Sequence, residues 1–268
     1  MFLGLHVPQR SVSHLLKVTE KGDGKPKGTY FHMFLLGVHC GMMLDSVFDK
    51  LLKAYGPQGW WPVSVNSSEP VYFVAGKLSS RQKFEICVGA ILTQNTNWEN
   101  AKRAIVELNK LGLMSPEKIM ATSRGKIRRA VKSSGYYNQK TEKIISLSRH
   151  LERYGFDINA FFKVKKLRED LLSIRGIGPE TADSILLYAK GEREGIGDAY
   201  TRRILSRIVF PVKTYDDAKQ LLESEFSGDM SEFHALLVRL GKEVCKVIPL
   251  CGCCPLRTEC LIGKAKKV

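Results

Sequence analysis

The stretch from Leu171 to Ala189, LLSIRGIGPETADSILLYA, constrains the fold more than any other part of the chain. Apolar Leu171, Leu172 and Ile174 precede a Gly-x-Gly turn, and Ala182, Ile185 and Leu186 follow it at helical spacing. Pro179 suits the first position of a helix, while Gly176 and Gly178 stand where a tight turn needs positive φ or a close backbone approach. Two short helices joined by a hairpin are expected, with N–H groups of the turn and the helix start converging on a point that suits a phosphate oxygen. A grip of this kind at Gly176, Ile177 and Gly178 positions a protein on a nucleic-acid backbone without selecting bases. The other reading is a plain helix–turn–helix connection stabilised by glycine. A dinucleotide-binding turn fits poorly, because no strand precedes the glycines and a third glycine is missing.

Charge favours a polyanionic partner. Lys and Arg number 42 against 27 Asp and Glu over 268 residues, a formal net charge of +15, and nucleic acid is the first expectation for such an excess. A membrane-surface binder is the alternative, but no single basic amphipathic block stands out. The apolar run YFHMFLLGVHCGMML is too short to span a bilayer.

The chain around the hairpin reads as all-α. Residues 1–42 are set aside as an extension, since TEKGDGKPKGTY is a polar stretch and Met33, Met42 and Met43 are each possible translation starts. From Leu44 the helical pattern begins with LDSVFDKLLKAYG and continues through Lys83–Leu92, Trp98–Lys110, SPEKIMA, RGKIRRAVKSS and NQKTEKIISLSRHLERYG. Ser115 before Pro116 is an N-cap followed by proline. PVYFVAG is the one ambiguous strand. After the hairpin, TYDDAKQLLESEF and MSEFHALLVRLGKEVC are helical, and the chain ends in a cysteine cluster and a basic tail, GKAKKV.

Asp198 follows Gly197 and opens the helix AYTRRILSRI, an N-cap position. A carboxylate fixed at a helix start is also a well-oriented catalytic group, so both readings stand. The hairpin, this acid and the terminal cysteines together resemble the endonuclease III family of helix-hairpin-helix DNA glycosylases over residues 44–262. LTQNTNWENA looks like the family's Gln-containing helix start and GYYNQKTEKI like its Gly-x-Tyr-Asn loop. The resemblance implies that Asp198 is the catalytic carboxylate, stabilising the oxocarbenium character that develops when a base–sugar bond breaks. It also makes Gln94 and Tyr136 candidates for filling the space left by a flipped base, their alternative being surface or capping residues.

Bifunctional members of that family carry a lysine where this chain has Glu180. A carboxylate cannot form an imine, so a monofunctional glycosylase that leaves an abasic site is expected. Lys140 and Lys190 are the candidates for a displaced amine. The tryptophans in GPQGWWPV, with an acid at the lysine position, resemble the 3-methyladenine branch of the family. Trp60 or Trp61 would then hold a cationic alkylated purine by stacking, or else both are packing residues. The alternatives are a glycosylase/lyase acting on oxidised pyrimidines, a uracil or thymine mismatch glycosylase, and a DNA-binding protein without catalysis.

Cys245, Cys251, Cys254 and Cys260 are separated by five, two and five residues. Four thiolates at this spacing suit a 4Fe-4S cluster, with zinc as the rival. The family pattern has one more residue in the first gap, and Cys253 is a spare thiol. The cluster loop is expected to present Arg257, Lys264 and Lys266 to phosphates, while His234 reads as a packed or helix-face residue. The expected architecture is two-lobed: a central helical lobe over 80–195 holding the helix-hairpin-helix at 167–189, and a second lobe from 44–79 plus 196–268 ending in the cysteines at 245–260. The expected partner is double-stranded DNA with a damaged base, bound by a monomer away from membranes. Free thiols suit a reducing cytoplasm and the nucleoid.

Overall fold

The computed structural model describes residues 40–208 and 212–265, which belong to one contact unit. The expectation for residues 1–39 falls outside the described residues, as does Lys266. The first helix, α1 (Cys40–Tyr55), starts slightly before the expected Leu44.

One group of helices surrounds α2 (Ser80–Leu92), which is buried without interruption from Phe84 to Leu92. Burial on every face marks it as the central helix, and Ser79 and Gln82 start it with a reciprocal capping box. Around it pack α3 (Trp98–Lys110), α6 (Tyr137–Glu152), α7 (Ile158–Phe161) and α9 (Pro179–Ile185), while α4 (Pro116–Met120) and α5 (Arg124–Ala130) lean on α6. Ser115 caps α4 with its hydroxyl and Pro116 occupies the first position, as the sequence indicates. The second group joins α1 to α11 (Tyr215–Glu225) and α12 (Met230–Glu243), and α10 (Ala199–Ile208) to α11, α12 and α13 (Leu261–Ala265). Phe48, Phe226 and Phe233 form its aromatic core, with ring centroids 4.4 to 5.8 Å apart.

The fold is all-α apart from one short ribbon in the segment before α2, which includes the start of the ambiguous PVYFVAG. Val63–Ser64 and Pro70–Val71 form an antiparallel pair with Val63 opposite Val71. Glu85, fully buried on α2, holds this ribbon by accepting from the Ser64 N–H at 2.8 Å and the Ser64 hydroxyl at 2.9 Å. Burial pushes the Glu85 carboxyl up against the pull of those donors.

Lys140 ties the first group together. Its ammonium, on a side chain with 1% exposure, donates to Leu92 O at 2.8 Å, the end of α2, and to Ser134 O at 2.6 Å. Burial and the charge of Lys143 push its pKa down to about 8.

Candidate active site

The hairpin forms as the residues require. Helix α8 (Leu167–Ser173) ends before Ile174, and α9 begins with Gly178 as N-cap and Pro179 at its first position. Gly176 has φ of +92°, so a side chain there would be strained. Gly178 is different: its φ is −98° and a Cβ built on it meets nothing. The space in front of Gly178 is therefore open to a molecule from outside. After Ile185 the helix widens into a π segment, Leu186–Lys190, which swings Tyr188 toward α12.

A cavity of about 300 Å³ lies where the two helix groups meet. Trp60, Trp61, Trp98, Tyr188 and Tyr200 give it aromatic walls, and Glu180, Asp198, His234 and Lys242 bring charge. The rings brace one another edge to face: Trp60 against Trp98 at 5.0 Å, Trp60 against Trp61 at 5.4 Å, and Trp61 against Tyr188 at 5.3 Å.

Asp198 is 8% exposed. Its Oδ1 accepts from the Thr201 N–H at 2.7 Å, the N-cap bond of α10, and its Oδ2 faces His234 Nε2 at 3.6 Å. Burial raises its pKa, but His234 and the Thr201 donors outweigh burial and hold the carboxyl below its ordinary value. Asp198 is thus an anion in a nearly dry site. The His234 ring is fixed from behind, with Nδ1 2.7 Å from the Tyr188 hydroxyl. Glu180 sits at the mouth of the same cavity, its pKa raised by loss of surrounding water and by the Asp198 charge.

The other residues anticipated from sequence fall in different places. Tyr136 stands 64% exposed at the start of α6 with a left-handed φ of +45°, a strained conformation for a tyrosine. Gln94 is half-buried, its amide engaged at both ends: Nε2 donates to Gly176 O at 3.2 Å and to Thr181 Oγ1 at 2.8 Å, while Lys143 donates to Oε1. Neither Lys140 nor Lys190 lines the cavity. Lys140 is occupied by two carbonyls, and Lys190 pairs with Glu192 at 2.6 Å. The lysine that does line it is Lys242, whose pKa is lowered by burial against the pull of Asp198.

Cys245, Cys251, Cys254 and Cys260 line a common small hollow with Arg207 and Arg257. Arg207 Nη1 donates to Cys245 Sγ at 3.1 Å. Cys253 is exposed and outside this hollow, its thiol donating to Leu250 O at 3.4 Å. Among the described residues no His, Cys, Asp or Glu group closes on a single-ion site.

A family model for HhH-GPD superfamily base excision DNA repair proteins matches residues 88–227, from α2 through the hairpin and Asp198 to the end of α11. The chain belongs to the HhH-GPD superfamily. A Methanocaldococcus jannaschii protein named as a DNA repair glycosylase is 35% identical over 229 residues, covering 82% of this chain and 96% of that protein. Endonuclease III of Sulfolobus acidocaldarius is 31% identical, covering 70% and 85%. The crystal structure of H. pylori 3-methyladenine DNA glycosylase bound to 1,N6-ethenoadenine superposes with a TM-score of 0.61 at 26% identity, over 77% of this chain and 98% of that one. An endonuclease III–DNA complex superposes at 0.67 and 18% identity, over 84% and 96%, which shows the shared fold.

This HhH-GPD chain is a DNA glycosylase of base excision repair. Among the described residues no helix is long and apolar enough to cross a membrane. Sequence reading did not assign Trp98, Tyr188, Tyr200, His234 or Lys242 to the cavity of this glycosylase. Trp98 and Tyr188 carry apolar-face signals that any packed helix shows. His234 and Lys242 reach the cavity only because α12 crosses behind α10.

Proposed function

We propose that the chain is a monofunctional glycosylase that hydrolyses the base–sugar bond of an alkylated purine in double-stranded DNA and leaves an abasic site. The observation that carries this reading is the cavity wall itself: a desolvated aspartate anion, a second acid at Glu180, and three tryptophans around a space of about 300 Å³. An alkylated purine is cationic and electron-poor. Between Trp60, Trp61 and Trp98 such a ring gains cation–π attraction of about 2 kcal/mol once desolvated, and two acids at the same cavity favour its charge. The base is already a good leaving group, so no strong general acid is required. Asp198 faces the sugar, stabilises the oxocarbenium charge and orients the attacking water.

The hairpin at Gly176, Ile177 and Gly178 holds the backbone, with the open space at Gly178 admitting a phosphate. Tyr136, exposed at the start of α6, enters the duplex, and Gln94, bonded to the hairpin at Gly176, lies close enough to fill the vacated space with it. The duplex lies between a lobe at 80–195 and a lobe at 44–79 plus 196–268, on a monomer working in the cytoplasm at the nucleoid. Cys245, Cys251, Cys254 and Cys260 fit a 4Fe-4S cluster by donor type and by the hollow they share. These four thiolates would hold the cluster, which would supply a structural crosslink for the loop carrying Arg257 and Lys264 and no step of base removal. Iron and sulfide in equal amounts in the purified protein support it; zinc overturns it.

A lyase reading has one observation in its favour, the presence of Lys242 on the cavity wall with a lowered pKa. Duplexes carrying methylated purine, uracil, a thymine–guanine mismatch or oxidised pyrimidine, each split with and without alkali, decide between them. Strand breaks that need alkali, on methylated purine, are expected. Breaks without alkali, with borohydride trapping lost in Lys242→Gln, assign a lyase and overturn the monofunctional reading.

A further inference from the structure

A second hollow, of about 410 Å³, opens outside the cavity between the glycine turn and the first turns of α6. Arg128 from α5, Lys143 from α6 and Arg175 from the hairpin line it, with the amides of Asn138 and Gln139 and a single acid, Glu142. Glu142 faces Arg124 at 3.7 Å, and among the described residues none of the three lining cations is in an ion pair. The hollow is therefore net positive and rich in N–H donors, a lining that suits an anion.

Its position says which anion. Lys143 lies directly across the hairpin: a Cβ on Gly176 would come within 2.3 Å of Lys143 Cγ. The same lysine donates to Gln94, and Gln94 donates to Gly176 O and Thr181. The hollow thus borders the hairpin at Arg175 and Gly176 and the first turns of α6 at Asn138 and Gln139. Arginine forks match phosphate oxygens two at a time, and a lysine beside them adds a point charge.

We propose that Arg128, Lys143 and Arg175 form a second backbone-phosphate site for the DNA duplex, adjacent to the one at the hairpin. It extends the glycosylase reading but does not depend on base removal. The test is anisotropy of a labelled undamaged duplex over a potassium chloride series, comparing the intact protein with the Arg128→Gln/Arg175→Gln double variant. Both side chains are exposed, so the melting temperature stays unchanged. The slope of log affinity against log salt is expected to flatten by about one, the value of one lost phosphate contact, with equal weakening on damaged and undamaged duplexes. Lys110→Gln/Lys118→Gln, two exposed lysines outside the hollow, serve as the control and leave the slope as it was. An unchanged slope in the arginine variant overturns the site, and so does an equal loss in the control pair, which reports bulk surface charge. A protein that binds undamaged DNA but releases no base refutes the glycosylase mechanism while leaving this comparison readable.

Discussion

Asp183 and Asp198 are both buried carboxylates, 0% and 8% exposed, and the molecule surrounds them in opposite ways. Asp183, on α9, accepts from Arg168 Nε at 2.6 Å and Nη2 at 3.1 Å and from the Tyr215 hydroxyl at 2.8 Å, with Lys219 Nζ 3.6 Å away. It joins α8, α9 and α11. Asp198 has one backbone donor and a histidine at 3.6 Å, and it opens on a cavity that it shares with Glu180. Burial is comparable; partners are not. A carboxylate with its full set of donors holds helices together, whereas one short of donors keeps charge available for a cation that arrives later.

Removing each charge separates these roles. Asp198→Asn is expected to lower single-turnover excision by about 10³-fold, the scale for losing a group that stabilises transition-state charge, with duplex affinity intact. Retained turnover in that variant removes Asp198 from the chemistry. Asp183→Asn does the reverse: Arg168 and the Tyr215 hydroxyl lose their charged acceptor while Lys219 keeps Glu194 and Glu223, which costs about 1.5 to 3 kcal/mol in denaturant unfolding. Excision per folded molecule, measured at a permissive temperature, stays near that of the unaltered protein.

Lys140→Met sharpens the comparison with a buried cation. Losing its two carbonyl contacts costs about 1 to 3 kcal/mol. Because the folded pKa, about 8, lies below the ordinary 10.5, the unfolded chain binds more protons between those values, and the lysine's burial penalty is relieved as pH rises through that window. The stability gap between the unaltered protein and Lys140→Met therefore widens from pH 8 to 10.5 in urea titrations, and a constant gap refutes a buried ammonium. The smallest effect is expected for His234→Gln. His234 holds the Asp198 pKa below 3.8, so stability and activity tied to the ionised carboxyl persist above that range and fade as pH falls through the folded pKa. Without the histidine, the acid limb of the excision profile moves to higher pH.

Local chemistry was legible in the sequence wherever neighbours in the chain settle it. Gly176 and Pro179 specify the hairpin, Ser115 and Pro116 the start of α4, and Asp198 the cap of α10, because each acts on backbone within a few residues. Lys140 and Gln94 take their partners from distant segments, which no short window shows: Lys140 donates to the end of α2, and the Gln94 amide donates to the hairpin. Cys253 and Cys254 are neighbours in the chain, but only Cys254 lines the hollow shared with Cys245, Cys251 and Cys260, while Cys253 is exposed.

By itself the sequence determined the helical elements, the glycine turn, the capping carboxylate, the soft-donor cluster and the positive charge, all properties of short windows or of sums over the chain. Only the tertiary structure decided that Trp60, Trp98, Glu180, Asp198, His234 and Lys242 share one cavity. They come from segments far apart in the chain, and their meeting depends on how α12 packs on α10 and on the π segment that carries Tyr188. The ionisation of Asp198 likewise belongs to that meeting, since burial alone pushes it the other way and a histidine brought in from α12 reverses the outcome.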